Sequence, residues 1–127
     1  MSARILIVED DVGLRDALVG MLTRRGYDIV AAGSGNEAIA RLKEEPSIDL
    51  VLSDYYMADG DGRHLLGYVR NQMPPPPPPF ILVTGQADLS TTELLALGAQ
   101  ELLVKPVSVR ELIAVFARNL PAARAKG

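Results

Sequence analysis

The sequence predicts an α/β fold: a single doubly wound sheet of five parallel strands, order 2-1-3-4-5, with helices on both faces. Three observations lead there. Five short apolar, partly β-branched runs recur along the 127 residues, and each reads as a buried strand. Segments with helical spacing of apolar residues separate and follow them. Strict alternation of the two kinds implies parallel strands, because parallel neighbours need a crossover connection.

The first run is Ile5–Val8. Leu14, Ala17, Leu18, Met21 and Leu22 then share a helical face, and Gly26 stands where that helix should stop, since glycine accepts the left-handed cap conformation without a Cβ clash. The second run, Ile29–Ala32, leads into Ser34…Glu37, a reciprocal cap ahead of Ala38, Ile39 and Leu42. The third, Leu50–Leu52, precedes a helix carrying Leu65, Leu66 and Val69. The fourth, Phe80–Val83, precedes a helix opened by Ser90…Glu93, built on Leu94, Leu95 and Leu97, and closed by Gly98. The fifth, Leu102–Val104, precedes Ser108…Glu111 and a helix of Leu112, Ile113, Val115 and Phe116. This flavodoxin-like order sets the first and third strands side by side. Ligands of such sheets sit outside the carboxyl ends of the strands, at the switch point.

At those ends stand Glu9, Asp10 and Asp11 after the first run, Asp54 after the third, Thr84 and Gly85 after the fourth, and Lys105-Pro106 after the fifth. Two carboxylates about 4 Å apart repel by about 4 kcal/mol at an effective dielectric near 20. Three converging acids would consume much of a domain's roughly 5–15 kcal/mol of stability, so a cation must offset them. Oxygen donors without cysteine favour Mg2+, which keeps several waters and takes one or two protein carboxylates plus phosphate oxygens. Acids, a metal, a hydroxyl and an amine make a site for a phosphoryl group. Each residue also has a plainer reading: Asp10 or Asp11 as a helix cap, Thr84 as an ordinary strand residue, Lys105 as a surface residue before a turn proline. Asp54 resists one, because the next helix begins several residues later.

The totals narrow the class. Lys plus Arg number 13 against 16 Asp plus Glu, a formal net charge of -3, which argues against a whole-domain grip on nucleic acid. With no cysteine there is neither a disulfide framework nor a thiolate site, and a cytoplasmic setting is expected. The N-terminal apolar run is short and ends in acids, so neither a signal peptide nor a membrane span is expected. Residues 1–120 read as one domain and 121–127 as a tail or the start of a linker.

With these residues in view, the chain from Arg4 to about Leu120 resembles the receiver domain of two-component response regulators. The matching pieces are Ile5-Leu-Ile-Val-Glu-Asp-Asp11, Asp49-Leu-Val-Leu-Ser-Asp54, Met57, Gly62, Ile81-Leu-Val-Thr-Gly85 and Val104-Lys-Pro106. The resemblance implies that Asp54 accepts a phosphoryl group from the phosphohistidine of a partner histidine kinase or phosphotransfer protein. It implies that Asp10 and Asp54 bind Mg2+ through carboxylates, Glu9 through a coordinated water, and Tyr56 through its backbone carbonyl. Thr84 would hydrogen-bond a phosphoryl oxygen and Lys105 would pair with another. The response would appear on the face of the fourth helix, fifth strand and fifth helix, and pass to a downstream effector domain or protein.

The chain also departs from that pattern. Leu102 stands where an aromatic is common three residues before the lysine, so either a different relay or a weakly switching domain is expected. Ala58 replaces a common proline, which predicts a mobile backbone over Tyr56 to Asp59 without metal. Tyr55 and Tyr56 read as one ring on the core and one on the surface, with Tyr56 alternatively crowding the water that would attack an acyl phosphate. The only histidine, His64, reads as an exposed helix residue, so a donor histidine must come from another chain. Pro74 to Pro79 should stop the third helix near Met73 and form a stiff polyproline II strut, with a docking motif for a proline-reading partner as the other reading.

Two other functions compete. A constitutive receiver-like interaction module would not use its acids, and Leu102 favours it. A small Mg2+-dependent phosphohydrolase of the haloacid-dehalogenase type would place its nucleophile in an Asp-x-Asp motif after the first strand and add a cap domain, and neither is present.

Overall fold

The computed structural model describes residues 2–45, 47–85 and 91–120. Its elements alternate: β1 (Arg4–Val8), α1 (Val12–Arg24), β2 (Asp28–Ala32), α2 (Gly35–Glu44), β3 (Leu50–Asp54), α3 (Gly62–Gln72), β4 (Phe80–Thr84), α4 (Thr91–Ala96), β5 (Glu101–Val104) and α5 (Val109–Asn119). The five strands pair in parallel, in the order β2-β1-β3-β4-β5 that the sequence predicts. Each strand is one or two residues longer than its apolar run. The additions are polar: Arg4, Asp28 and Glu101 at the entering ends, Ser53, Asp54 and Thr84 at the leaving ends.

Period-two alternation divides the strand side chains between two layers. Ile5, Ile7, Leu50, Leu52, Ile81 and Val83 pack with Leu22 of α1 and Leu112, Val115 and Phe116 of α5. Leu6, Val8, Val51, Phe80 and Leu82 pack on the opposite face with side chains from α2, α3 and α4. Burial of each Leu, Ile or Phe contributes about 1.5–3 kcal/mol, so a one-residue slip of any central strand would exchange the layers and forfeit most of that.

The helix boundaries follow their caps. Ser34 and Ser108 accept from the N–H groups of Glu37 and Glu111, each at 3.0 Å. Glu37 reaches back to the N–H of Gly33 at 2.8 Å, one residue earlier than a reciprocal cap requires. Ser90 lies outside the described residues. Gly26 and Gly98 hold φ of 96° and 112°, the left-handed caps expected at the ends of α1 and α4. α3 stops at Gln72, and Met73 is extended (φ -86°, ψ 147°), as a residue before proline must be. The proline run is not the straight strut expected, because the chain bends at Pro75 and Pro76. Its far end is fixed by pairing: the Pro79 carbonyl accepts from Val51 N at 2.9 Å, which brings the chain alongside β3 before β4 begins.

Candidate functional site

The carboxyl ends of the strands set the positions of the predicted residues. At the end of β1, Glu9 is buried and its N–H donates to Ala32 O at 3.0 Å, while Asp10 is exposed. Asp11 turns away to cap α1, accepting from Leu14 N at 2.9 Å, and its own N–H donates to Glu9 Oε2 at 3.1 Å. The capping role therefore belongs to Asp11, not Asp10. Asp54 closes β3, whose five residues are all buried. It caps nothing, since Asp61 caps α3 by accepting from His64 N at 2.9 Å. Glu9, Asp10 and Asp54 each offer a carboxylate oxygen within 4.8 Å of the others.

Lys105 reaches the same point from the end of β5. Its Nζ lies 2.9 Å from Asp54 Oδ1, 3.0 Å from Oδ2 and 3.3 Å from Glu9 Oε1. Its backbone N–H donates to the carbonyl of Thr84 at 2.8 Å, which holds the buried end of β4 beside the lysine. Tyr55 is half-buried against the α2/α3/α4 layer and Tyr56 is exposed, their rings meeting edge-on at 4.8 Å, so the expected division between core and surface holds. His64 is exposed, as expected, although its Nε2 lies 3.0 Å from Asn36 Oδ1.

These contacts set the local electrostatics. Burial, then the hydrogen bond shared with Asp54, pushes Glu9 above the usual carboxylate range, over the opposing pull of the Asp11 N–H and the Lys105 charge. Burial alone would depress Lys105; the hydrogen bond and charge of Asp54, then Glu9, outweigh it and raise the ammonium above its ordinary value. Three carboxylates against one amine leave uncompensated negative charge. An all-oxygen donor set of this kind fits a hard divalent cation such as Mg2+. Beneath the acids, a cavity of about 470 Å³ opens between α1 and α5, walled by Leu14, Leu18, Leu52, Val83 and Val107, with Glu9, Asp54 and Lys105 as its polar side.

The sequence reading missed two supports. Arg15 donates from Nη1 to the carbonyl of Glu9 at 2.9 Å, bracing the loop that carries the acids. A cation in the first turn of a helix opposes the macrodipole, and that oddity was the available signal. Asp59 ties the loop after Asp54 to α2, accepting from Asn36 Nδ2 at 2.9 Å and Ser34 Oγ at 3.2 Å. Its place in Ala58-Asp-Gly-Asp-Gly62, where Asp tolerates the left-handed region, marked a turn but not its partner.

Residues 5–117 match the family model described as the response regulator receiver domain. The chain is 37% identical over 119 residues to the response regulator protein FleR of Pseudomonas aeruginosa, covering 94% of this chain but 25% of that protein. It therefore spans about a quarter of that relative's length. Among solved structures, it resembles a CheY-like receiver domain protein of Methanospirillum hungatei (31% identity, TM-score 0.84, 93% of each chain). It also resembles the chemotaxis protein CheY4 of Vibrio cholerae (28% identity, TM-score 0.84), with 94% of this chain and 100% of that one covered. Receiver domains bind Mg2+ at an acidic site, and Glu9, Asp10 and Asp54 form such a cluster here. Among the described residues no helix is long and apolar enough to cross a membrane. With its sheet order, its strand-end acids and the family match in agreement, the chain belongs to the receiver domains of two-component response regulators.

Proposed function

We propose that this domain takes a phosphoryl group onto Asp54 from the phosphohistidine of a partner histidine kinase or phosphotransfer protein. A carboxylate oxygen of Asp54 attacks phosphorus, the P–N bond to the donor imidazole breaks, and the imidazole leaves with its electron pair and takes up a proton. Asp10 and Asp54 would hold Mg2+ directly, Glu9 through water, and the backbone of Tyr56 through its carbonyl. When bound, the ion neutralises charge on the transferring group. Lys105 offers its ammonium to a phosphoryl oxygen and Thr84 its hydroxyl to another. The end of a fully buried strand holds Asp54 in place, so positioning and charge neutralisation carry most of the rate.

The observation that carries this reading is the meeting of three acids within 4.8 Å with the ammonium of Lys105, 2.9 Å from Asp54. Residues 1–120 would act as one unit and 121–127, which lie outside the described residues, as a tail or linker. Output would leave through α4, β5 and α5 to a downstream effector domain or protein in the cytoplasm, without direct nucleic-acid or membrane contact by this domain. It is not an enzyme in the turnover sense; it assists its own phosphorylation and dephosphorylation. A second reading, a constitutive interaction module, draws on Leu102, half-buried where a mobile aromatic would stand. Acetyl phosphate with Mg2+ separates them. Stoichiometric mass gain that Asp54→Asn abolishes supports the phosphoacceptor, no gain supports the module, and turnover of added phosphate esters supports a phosphohydrolase.

A further inference from the structure

The loop between β3 and α3 lacks a proline at Ala58, yet it is fastened at both ends. Near Asp54, Tyr55 N donates to Val83 O at 2.9 Å and Tyr55 O accepts from Gly62 N at 2.7 Å. At the other end Asp59 adopts φ of 58° and is gripped by the first turn of α2. Its carboxylate accepts from Asn36 Nδ2 and Ser34 Oγ, its carbonyl accepts from Asn36 N at 3.1 Å, and the Gly60 carbonyl accepts from Gly35 N at 2.8 Å. His64 Nε2 meets the other end of the Asn36 amide at 3.0 Å, joining α3 to the same point. The backbones touch: a Cβ on Gly35 would fall 2.5 Å from Gly60 O, so only glycine allows this approach.

We infer that Asn36, with Ser34, is a positioning residue for the cation site. By fixing Asp59 it limits the three residues between the anchors, Tyr56, Met57 and Ala58, and so aims the Tyr56 carbonyl. Neither side chain need touch the ion. The grip replaces the stiffness that a proline would have supplied, and it opposes the mobility expected from Ala58 alone. The inference rests on the proposed Mg2+ site, but its first consequence is visible without metal.

The test uses the whole chain as wild type, Asn36→Ala and Asn36→Ala/Ala58→Pro. In metal-free protein, amide exchange at Gly35, whose N–H is bonded to the Gly60 carbonyl, is expected to quicken about tenfold in Asn36→Ala, since the Asn36 side-chain bonds to Asp59 and His64 are lost. Mg2+ affinity, followed by tyrosine fluorescence, should fall about three- to tenfold while the metal-free melting temperature moves little. Adding Ala58→Pro should bring the affinity back to within about twofold of wild type, because a fixed φ removes the freedom the first change released. Unchanged exchange at Gly35 would overturn the inference, as would a loss of affinity that the proline does not rescue. A wild type that binds no Mg2+ would instead remove the proposed site, with the exchange result still deciding whether Asn36 holds the loop.

Discussion

Lys105→Met tests whether the strand-end acids carry the strain that their geometry implies. At an effective dielectric near 20, charges at 2.9 Å attract by roughly 6 kcal/mol and at 3.3 Å by roughly 5, the separations of Lys105 from Asp54 and Glu9. Those gross figures shrink because 35% of the lysine side chain stays accessible, and its lost hydration must be set against them. Protonation sets a ceiling on the repulsion left behind. Without the amine, one carboxylate can take up a proton, which at pH 7 costs about 3.5 kcal/mol for an ordinary carboxyl. The expected loss is therefore about 2–3 kcal/mol, a fall of roughly 6–12 °C in melting temperature for a chain of this size. Melts of metal-free protein at pH 7 and pH 5, then with saturating Mg2+, provide the assay. The deficit should shrink to about 1 kcal/mol at pH 5, where proton uptake is nearly free, and should narrow with Mg2+, whose charge replaces the amine. The sign agrees with Glu9: a carboxyl raised in the folded state contributes stability below its unfolded value of 4.5 and loses it as pH climbs through the folded value. An equal deficit under all three conditions would refute the electrostatic account and leave only packing of the lysine stem.

Other outcomes follow from single contacts. Glu101 is held below the usual range by its hydrogen bond to Arg118, then, against burial, by Asn119. Its stabilisation is present above the unfolded value of 4.5 and lost as pH falls through the folded value, so Glu101→Gln should weaken the protein at pH 7 and match it in acid melts. Gly62→Ala would place a Cβ 2.6 Å from Asp54 O and 2.9 Å from Tyr55 Cα, backbone that cannot step aside. A loss of about 1–3 kcal/mol in urea titration is expected, with slower phosphorylation by acetyl phosphate. Tyr56→Asn should shorten the half-life of the phosphorylated form if the exposed ring obstructs water, and an unchanged half-life measured by mass spectrometry would remove that role.

The fold was legible because its signals are local and repeated. Alternation of runs and helical faces, three Ser-x-x-Glu starts and two helix-ending glycines each constrain a few neighbouring residues and together mark the elements, while the strand order came from the flavodoxin-like arrangement such units commonly adopt. The acids and the amine were legible for a related reason: strand ends of a parallel sheet meet in space, so residues far apart in sequence can be placed without knowing a side-chain angle. What escaped depends on contacts across the chain. The Asn36–Asp59 grip links residues 23 apart, one in the first turn of α2 and one in the loop before α3, whose meeting depends on the packing of α2 beside α3. Ala58 was read from its own flexibility, and no local rule could say that Asp59 next to it would be tied down. The proline run was read as a stiff polyproline II strut, whereas the chain bends at Pro75 and Pro76 before Pro79 pairs with Val51.

Leu102 shows where chemistry and transmission part. Its backbone pairs with Leu82 in register, and its half-buried side chain packs on the layer formed with α2, α3 and α4. A hydroxylated aromatic could swing between surface and core in answer to Thr84; leucine has no polar group to recruit and gives up packing by leaving. Under the proposed phosphorylation, charge added at Asp54 would need a route to α4 other than a swinging ring at Leu102. One such route runs through backbone, from Tyr55 O to Gly62 N, and then from Arg63 Nη1 to Glu93 Oε1 at 2.8 Å. Both ends of that ion pair are more than half exposed, the kind of pair that water and salt weaken most. Shifting a two-state equilibrium from 1:99 to 99:1 needs roughly 10⁴-fold preference between states. Buried Glu9 and Asp54, at contact distance from Lys105, can supply a large local change, whereas the exposed Arg63–Glu93 pair can by itself transmit little of it. A receiver that relied on that pair alone would, under the proposed phosphorylation, take the phosphoryl group and move its far face little.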